Sequence, residues 1–169
     1  MFDYIKIFSE FNRRRIKYIV VGGLAVNLYG IPRMTYDIDL LLDMEEKNLK
    51  KFLLLLKRWG FKPKIAVDIM DFTKEEKRRM WVKKKNMKAF NLFNPSWPLS
   101  EIDILINTPV DYKKAKNDIK YIKIKNIRIP LISIRNLIKM KESSKRKQDK
   151  TDCFYLKKIM RDEKESRGI

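Results

Sequence analysis

The sequence predicts one mixed α/β domain, with a sheet flanked by helices and further helices at the C-terminal end. Two observations predict this class: apolar residues recur at helical spacing in some stretches, and branched aliphatic residues alternate with polar ones in others. At 169 residues with 44% hydrophobic side chains, the chain can bury one substantial core. No internal repeat or flexible linker divides it, so a single domain is expected.

Helices and strands alternate along the first part of the chain. The predicted elements are an N-terminal helix, a strand at Tyr18–Val21, a short helix over residues 24–29, an acidic strand after Pro32, and a helix ending before Gly60. The first helix directs Ile5, Phe8 and Phe11 inward, because they recur at helical spacing. Asp43 and Glu46 are spaced as a capping box, so we interpret Asp43 as a helix cap and exclude it from any site.

Strands are more frequent in the second part of the chain. The predicted elements are a strand over residues 61–67, a helix opened by a capping box of Thr73 and Glu76, a strand pair over residues 86–94 and 101–107, an alternating strand over residues 121–129, and two final helices. Residues 95–98, with the sequence Pro-Ser-Trp-Pro, join the strand pair. This order of elements favours a mixed sheet over an all-helical fold.

Three aspartates are predicted to converge on one face of the sheet. Side chains alternate along a strand, so Asp37 and Asp39 point one way while their aliphatic neighbours point the other. A later strand repeats this pattern around Asp103. Neighbouring carboxylates repel one another unless a cation lies between them, and oxygen ligands of this kind suit Mg²⁺ or Mn²⁺. The alternative interpretation is that Asp37 and Asp39 simply form the solvent-facing edge of an amphipathic strand.

Two glycines end the first strand and precede the short helix. Without a Cβ, Gly22 and Gly23 would let the backbone approach a phosphate closely, and the helix would offer free N–H groups. A tight turn without a ligand explains the two glycines equally well when they are considered alone. They lack the further glycines of a G-x-G-x-x-G turn, which disfavours a dinucleotide-binding protein.

Together these residues resemble the DNA polymerase β-type nucleotidyltransferase superfamily. The pattern is Gly-Gly, an intervening run, Asp-hydrophobic-Asp-hydrophobic, and a distant Asp on a strand. It is similar to small stand-alone prokaryotic members such as abortive-infection-type nucleotidyltransferase toxins. The resemblance covers residues 20–156, and its last part, which includes Lys141 and Arg146, is similar to the helical segment that closes those proteins.

The resemblance implies a nucleotidyltransferase-like domain over residues 1–169, with a catalytic core near residues 15–110 and a closing strand and helical segment near residues 119–166. It implies transfer of an NMP from an NTP to an acceptor, with Mg²⁺ or Mn²⁺ held by Asp37, Asp39 and Asp103 as the catalytic residues. The residues that it implies for nucleotide binding are Gly22, Gly23, Arg33, Thr35, Lys141 and Arg146.

Lys141 lies on the apolar stripe of a predicted C-terminal helix. It continues an i, i+3, i+4, i+7 pattern that begins at Ile134, so its ammonium should point toward the core or a cleft. The resemblance implies a phosphate contact; an equal alternative is a lysine that extends along the edge of the stripe to reach water. Asp149 and Asp152 either orient the nearby cations or pair with other neighbours.

The net charge of +19, from 40 Lys and Arg against 21 Asp and Glu, favours a polyanionic partner. The excess lies in residues 74–88, 113–128 and 139–150, with Trp81 and Tyr121 interleaved. RNA is therefore the favoured acceptor, ahead of a protein hydroxyl or a small molecule. A genome rich in Lys, or adaptation to heat, explains the same charge without nucleic acid.

Two biological roles stay open. The resemblance to toxins implies a cognate antitoxin protein as a partner. The alternative class is a catalytically silent module that binds nucleic acid or a protein on the same fold. Divalent-metal binding at the aspartates would distinguish the enzyme from the module.

The composition excludes several other sites and locations. The chain has no histidine, which excludes a His-based zinc site and a Ser-His triad, and Cys153 has no second cysteine for an internal disulfide. No apolar run is long enough for a transmembrane helix, and the N-terminal residues lack the layout of a signal peptide. We therefore expect a cytoplasmic protein without a membrane partner.

Overall fold

The computed structural model describes residues 3–97 and 101–168, which form one sheet flanked by helices. The strands are β1 Tyr18–Val21, β2 Asp37–Leu42, β3 Lys62–Pro63, β4 Ala89–Phe93, β5 Glu101–Leu105, β6 Lys120–Ile124 and β7 Ile127–Leu131. The helices are α1 Tyr4–Arg13, α2 Gly22–Leu28, α3 Glu46–Arg58, α4 Glu75–Lys85, α5 Tyr112–Ala115, α6 Ile134–Glu142 and α7 Lys147–Ser166, with 3₁₀ turns at Ile69–Thr73 and Lys116–Asp118. The predicted mixed α/β class with C-terminal helices is confirmed.

The described strands are ordered β3-β4-β5-β2-β1-β7-β6 in the sheet. β2 is parallel to β5 and antiparallel to β1, and β1 is parallel to β7. The sheet is therefore mixed, and its centre is formed by β5, β2 and β1. Because β2 and β5 run in the same direction and in register, the acidic residues of both strands lie toward the same end of the sheet.

One face of the central strands is apolar and packs in the core. Its fully buried residues in β2 and β5 are Ile38, Leu40, Ile102 and Ile104. On β4, Phe90 stacks against Trp81 of α4 with ring centroids 5.5 Å apart, and Phe72 lies against both rings. Trp81 is interleaved in a basic stretch of the sequence, but its indole is buried in the core and cannot contact a nucleic acid.

The N-terminal helix packs on the core through aromatic residues. Asp3 caps α1 by accepting hydrogen bonds from the backbone N–H groups of residues 5 and 6. Ile7, Phe8 and Phe11 are buried, and Phe8 stacks on Tyr18 of β1. Ile5 is only half-buried, so the predicted inward face is wrong at this position; the cap fixes the start of the helix and directs Ile7 to the core instead.

Neither predicted capping box forms. Asp43 lies two residues before the cap of α3, accepts a hydrogen bond from the Glu45 N–H at 3.2 Å, and pairs with Lys17 at 3.4 Å. The Thr73 hydroxyl donates to the carbonyl oxygen of Met70 at 2.7 Å, within the preceding 3₁₀ turn, and does not cap α4. Local turn geometry therefore captures both side chains before the helices begin.

Several predicted strands are shorter than expected. Within residues 61–67 the strand β3 covers only Lys62–Pro63, and Pro63 has no N–H to extend a ladder. The strand predicted over residues 86–94 begins at Ala89, because Asn86 takes a left-handed conformation with φ of 48° and ends α4. The strand predicted over residues 101–107 ends at Leu105.

Three further boundaries differ from the prediction or lie outside the described residues. The region 121–129 is a hairpin of two strands, since Lys125 turns the chain with φ of 51°. Helix α2 begins at Gly22 rather than residue 24 and ends at Leu28. Pro98, in the predicted connection 95–98, lies outside the described residues. None of the described helices is both long and apolar enough to cross a membrane.

Candidate active site

The acidic residues of β2 and β5 lie on one face of the sheet. Asp39 is directly opposite Asp103 in the parallel register, and Asp37 is opposite Glu101. On the other side of β5, Asn91 of β4 lies opposite Asp103. The apolar neighbours of these residues fill the core, so strand alternation presents all three predicted aspartates together on the opposite face. We call Asp37, Asp39 and Asp103 the carboxylate face.

The three aspartates have raised pKa values. Burial, followed by the negative charges of Asp103 and Asp37, raises the pKa of Asp39 to about 6, although a hydrogen bond from the Gly23 backbone opposes this shift. Burial also raises the pKa of Asp103, where Asn91 opposes the shift and Asp37 adds to it. For Asp37, the causes of the raised pKa are burial and then the neighbouring carboxylate of residue 101. A bound cation would relieve this repulsion.

One oxygen of the carboxylate face has no hydrogen-bond partner. Oδ1 of Asp103 is buried and accepts no hydrogen bond, which costs free energy. The unpaired oxygen and the neighbouring carboxylates form a donor set that suits Mg²⁺ or Mn²⁺. Among the described residues, no group of three or more acidic or cysteine side chains is already gathered to hold a metal ion. The aspartates would therefore have to close around the ion.

Gly22 makes room for the Asp39 carboxylate. Its φ of 65° lies in the left-handed region, which a glycine adopts without strain. A Cβ at this position would lie 1.8 Å from Oδ2 of Asp39, which is impossible without displacing the carboxylate. The first glycine of the pair is therefore fixed by the position of a candidate metal ligand.

Gly23 makes room for two other residues of the predicted nucleotide site. A Cβ at Gly23 would lie 2.7 Å from Oγ1 of Thr35 and 3.2 Å from Cζ of Arg33. The structure thus brings Gly23, Thr35 and Arg33 together beside the start of α2. The expected approach of this backbone to a phosphate stays a prediction, and the two glycines already have a reason within the chain itself.

A cluster of opposite charges, with three buried members, lies where α6 meets α7. Nζ of Lys141 contacts Oδ1 of Asp149 at 2.8 Å and Oδ2 of Asp152 at 2.7 Å. Arg146 donates through Nε to Oδ2 of Asp149 at 2.7 Å, and Arg33 pairs with Asp152. The relative exposure of Lys141 is 5%, and the two aspartates are 2% and 1% exposed. We call these five residues the charge cluster.

Lys141 points into the protein, so the alternative of a lysine reaching water is wrong. Asp149 and Asp152 orient the cations, as one sequence-based alternative held. The charge of Lys141 opposes the rise in the pKa of Asp39, and those of Arg146 and Arg33 oppose the rise in the pKa of Asp37. The field of the charge cluster therefore reaches the carboxylate face.

An exposed basic surface is formed by the β6–β7 hairpin. Tyr121 is 55% exposed, and the Arg128 guanidinium lies 4.4 Å from the centre of its ring. Lys123 lies opposite Arg128 in the register of the two strands, and both side chains are exposed. Of the two aromatic residues predicted to accompany the basic stretches, Tyr121 is thus at the surface.

Sequence reasoning missed two polar contacts of the acidic strands. Asn91 alternates with the buried residues Phe90 and Leu92, and this alternation could have placed it on the carboxylate face. Lys64 contacts Glu101 at 2.6 Å and opposes the rise in the pKa of Asp37. The strand before Lys64 is only two residues long, so no local pattern indicates this contact.

The fold is similar to a solved structure, the crystal structure of the lincosamide antibiotic adenylyltransferase LnuA in its lincomycin-bound form. The TM-score is 0.61 at 19% sequence identity, over 91% of this chain and 94% of that chain. No family model matches the chain, and neither does any curated protein. The likeness shows that the mixed sheet with C-terminal helices is a nucleotidyltransferase fold. Because a shared fold does not by itself show an activity, the activity must be argued from the site.

Proposed function

We propose that the protein is a divalent-metal-dependent nucleotidyltransferase that moves an NMP from an NTP to an acceptor. The observation that carries this proposal is the direct opposition of Asp39 and Asp103 in neighbouring strands; burial, and then repulsion from Asp103, raises the pKa of Asp39 to about 6. Elsewhere this chain neutralises buried carboxylates with lysine and arginine, as in the charge cluster. Like charges held together without a lysine or arginine in contact are typical of a site that binds a cation.

Asp37, Asp39 and Asp103 would hold Mg²⁺ or Mn²⁺. When bound, such an ion neutralises phosphate charge and favours ionisation of the acceptor hydroxyl. Gly22 leaves the space that the Asp39 carboxylate occupies, and the Gly23 N–H holds it there. Asp103, whose Oδ1 has no hydrogen-bond partner within the protein, would complete the ligand set.

Arg146 and Arg33 are proposed to contact the phosphates, together with Thr35 and the glycine turn. The Arg146 side chain is 79% exposed and uses Nε for Asp149, so its other donors can reach a phosphate oxygen. Arg33 is more buried and lies beside Gly23. Both guanidiniums are aimed by aspartates of α7.

Lys141 has a different role in this proposal. Two of its ammonium hydrogens are directed to Asp149 and Asp152, and the side chain is buried, which leaves little capacity for a direct phosphate contact. We assign Lys141 as a positioning residue that holds the two aspartates and, through them, Arg33 and Arg146. Its substitution should affect the requirement for NTP more than the maximal rate.

We infer that the acceptor is RNA. The net charge of +19 and the exposed Tyr121, Lys123 and Arg128 on the hairpin support a polyanion that can also stack a base. The alternative is a small-molecule acceptor, which the lincomycin-bound adenylyltransferase of similar fold favours. Transfer to RNA would be consistent with a toxin controlled by an antitoxin protein, a role supported by the sequence resemblance.

The test is incubation with each α-labelled NTP, Mg²⁺ or Mn²⁺, and total RNA or an RNA-free cell extract. We expect label in RNA, and a loss of at least about 100-fold in Asp39→Asn, because the transition-state charge loses its electrostatic stabilisation. Asp43→Asn is the matched control, since Asp43 follows the same strand but pairs with Lys17. It should retain the wild-type rate.

Different results would point elsewhere. Transfer that persists undiminished in Asp39→Asn would contradict the proposed site. Label in the RNA-free extract alone would exclude RNA and indicate a protein or small-molecule acceptor. A protein that binds RNA but neither a divalent ion nor an NTP would be the catalytically silent module.

A further inference from the structure

A cavity of about 640 Å³ lies at the opposite end of β2 and β5 from Asp37 and Glu101, which begin these strands. Helix α4 forms one wall, and the loop that leads to α5 forms another. The apolar residues that line it are Leu41, Leu42, Met44, Val82, Leu105 and Ile106. Its volume is in the range of small-molecule sites, and its lining does not include the carboxylate face.

The acidic residues around this cavity already have partners. Glu75 pairs with Arg79 at 2.6 Å, and Asp43 pairs with Lys17 at 3.4 Å. The Asp111 carboxylate caps α5 by accepting a backbone N–H at 2.9 Å. The negative charges of the lining are therefore largely satisfied within the protein.

The cationic residues of the cavity are less fully paired. Arg78 of α4 is half-buried, donates through Nη1 to the Phe72 carbonyl oxygen at 2.6 Å, and lies 5.6 Å from the centre of the Phe72 ring. Within the described residues it forms no ion pair with a carboxylate, and neither do Lys83 and Lys113 at the rim. Burial lowers the pKa of Arg78, and Glu75 opposes this shift without contacting the guanidinium, so an anion in contact with Arg78 would stabilise its charge further.

We propose that this cavity binds a small organic anion with an apolar body, and that Arg78 contacts its anionic group. The aliphatic lining removes the apolar body from water, which stabilises the complex. The remaining donors of Arg78 can hold a carboxylate or phosphate oxygen pair, and the two lysines add positive charge at the entrance. This site is independent of the proposed nucleotidyl transfer.

Decanoate and 1-decanol test this proposal, because they share an apolar chain and differ in the charged group. Binding is measured by displacement of anilinonaphthalenesulfonate fluorescence from the full-length protein. We expect decanoate to bind at least about tenfold more tightly than decanol. Arg78→Gln should weaken decanoate about tenfold and leave decanol unchanged, whereas Val82→Trp should fill the cavity and weaken both.

Arg58→Gln is the matched control, because it removes the same charge from an exposed position on α3. It should leave decanoate binding unchanged. If Arg78→Gln fails to fold, Lys83→Gln keeps the test, since Lys83 is exposed and its loss should weaken decanoate about threefold. Equal weakening in Arg58→Gln, equal binding of decanoate and decanol, no effect of Val82→Trp, or no decanoate binding would each overturn the proposal.

Discussion

Aspartates cluster in two regions of this molecule, half-buried on the carboxylate face and buried in the charge cluster, and their pKa values shift in opposite directions. On the carboxylate face, burial and then Asp103 and Asp37 raise the pKa of Asp39 to about 6. In the charge cluster, burial would raise the pKa of Asp149, but Lys141 and Arg146 outweigh it and lower the pKa to about 2. The sign is therefore decided by the neighbours rather than by burial. The charge cluster stabilises the fold, whereas the carboxylate face retains a repulsion that a bound cation can relieve.

The largest effect on stability is expected from Asp152→Ala. This change removes a partner from both Lys141 and Arg33, and breaking a buried ion pair costs about 3 kcal/mol or more. Urea denaturation measures the free energy of unfolding. Glu142→Ala is the control, because its pair with Lys157 is half-exposed and should contribute less than about 1 kcal/mol. Similar losses in both variants would contradict the role of the charge cluster.

Gly22→Ala and Gly30→Ala separate backbone strain from displacement of Asp39. Both glycines have positive φ, 65° and 90°, so each substitution should cost about 1 kcal/mol for the backbone alone. Nothing lies within 4 Å of a Cβ at Gly30, whereas a Cβ at Gly22 clashes with Asp39. Thermal unfolding should show an extra loss of about 1 to 2 kcal/mol in Gly22→Ala, together with lost nucleotidyl transfer. Equal behaviour of the two variants would argue against the steric role of Gly22.

The same chemical change should have opposite effects in the two regions. At pH 8 without divalent ions, Asp39→Asn should raise the free energy of unfolding by about 1 to 2 kcal/mol, because it removes a repelling charge. Asp149→Asn should lower it by about 1 to 2 kcal/mol, because it removes an attractive one. Guanidinium titrations of the two variants give both values. Changes of the same sign in the two free energies of unfolding would contradict the proposed difference between the carboxylate face and the charge cluster.

The contributions of Asp39 and Asp149 to stability should change with pH in opposite directions. The folded-state pKa of Asp39 is raised, so its contribution to stability is full below about pH 4 and is lost as pH rises through about 6. The folded-state pKa of Asp149 is lowered, so its contribution is present above about pH 4 and is lost as pH falls toward 2. Thermal midpoints are measured without divalent ions. Those of wild type and Asp39→Asn should diverge as pH rises through about 6, and those of wild type and Asp149→Asn should converge as pH falls toward 2. Differences that do not vary with pH would disprove these assignments.

The fold class and the carboxylate face could be predicted because their signals are local. Alternation along a strand fixes which side chains share a face, so Asp37, Asp39 and Asp103 could be grouped before their strands were seen to be neighbours. The same rule would have indicated Asn91. Helix positions followed from apolar spacing even where the predicted caps of Asp43 and Thr73 were wrong, because packing outweighs a single cap.

The remaining features depend on contacts between distant parts of the chain. Arg33 and Asp152 are 119 residues apart, and no local pattern pairs them. The steric reason for Gly22 requires the position of Asp39 on a neighbouring strand. Trp81 lies in a basic stretch, and only the packing against Phe90 shows that it is a core residue. Composition predicts the charge of a surface but not which aromatic residues reach it.

Mn²⁺ titration tests most directly whether the carboxylate face binds a cation. Thermal midpoints are measured at pH 8 in the presence of mixed NTPs, with an NTP-only control. The wild-type midpoint should rise with Mn²⁺ concentration, because the ion binds the native state, whereas Asp39→Asn should begin from a higher midpoint and show no rise. An equal rise in both proteins, or a lower starting midpoint for Asp39→Asn, would contradict the proposed cation site.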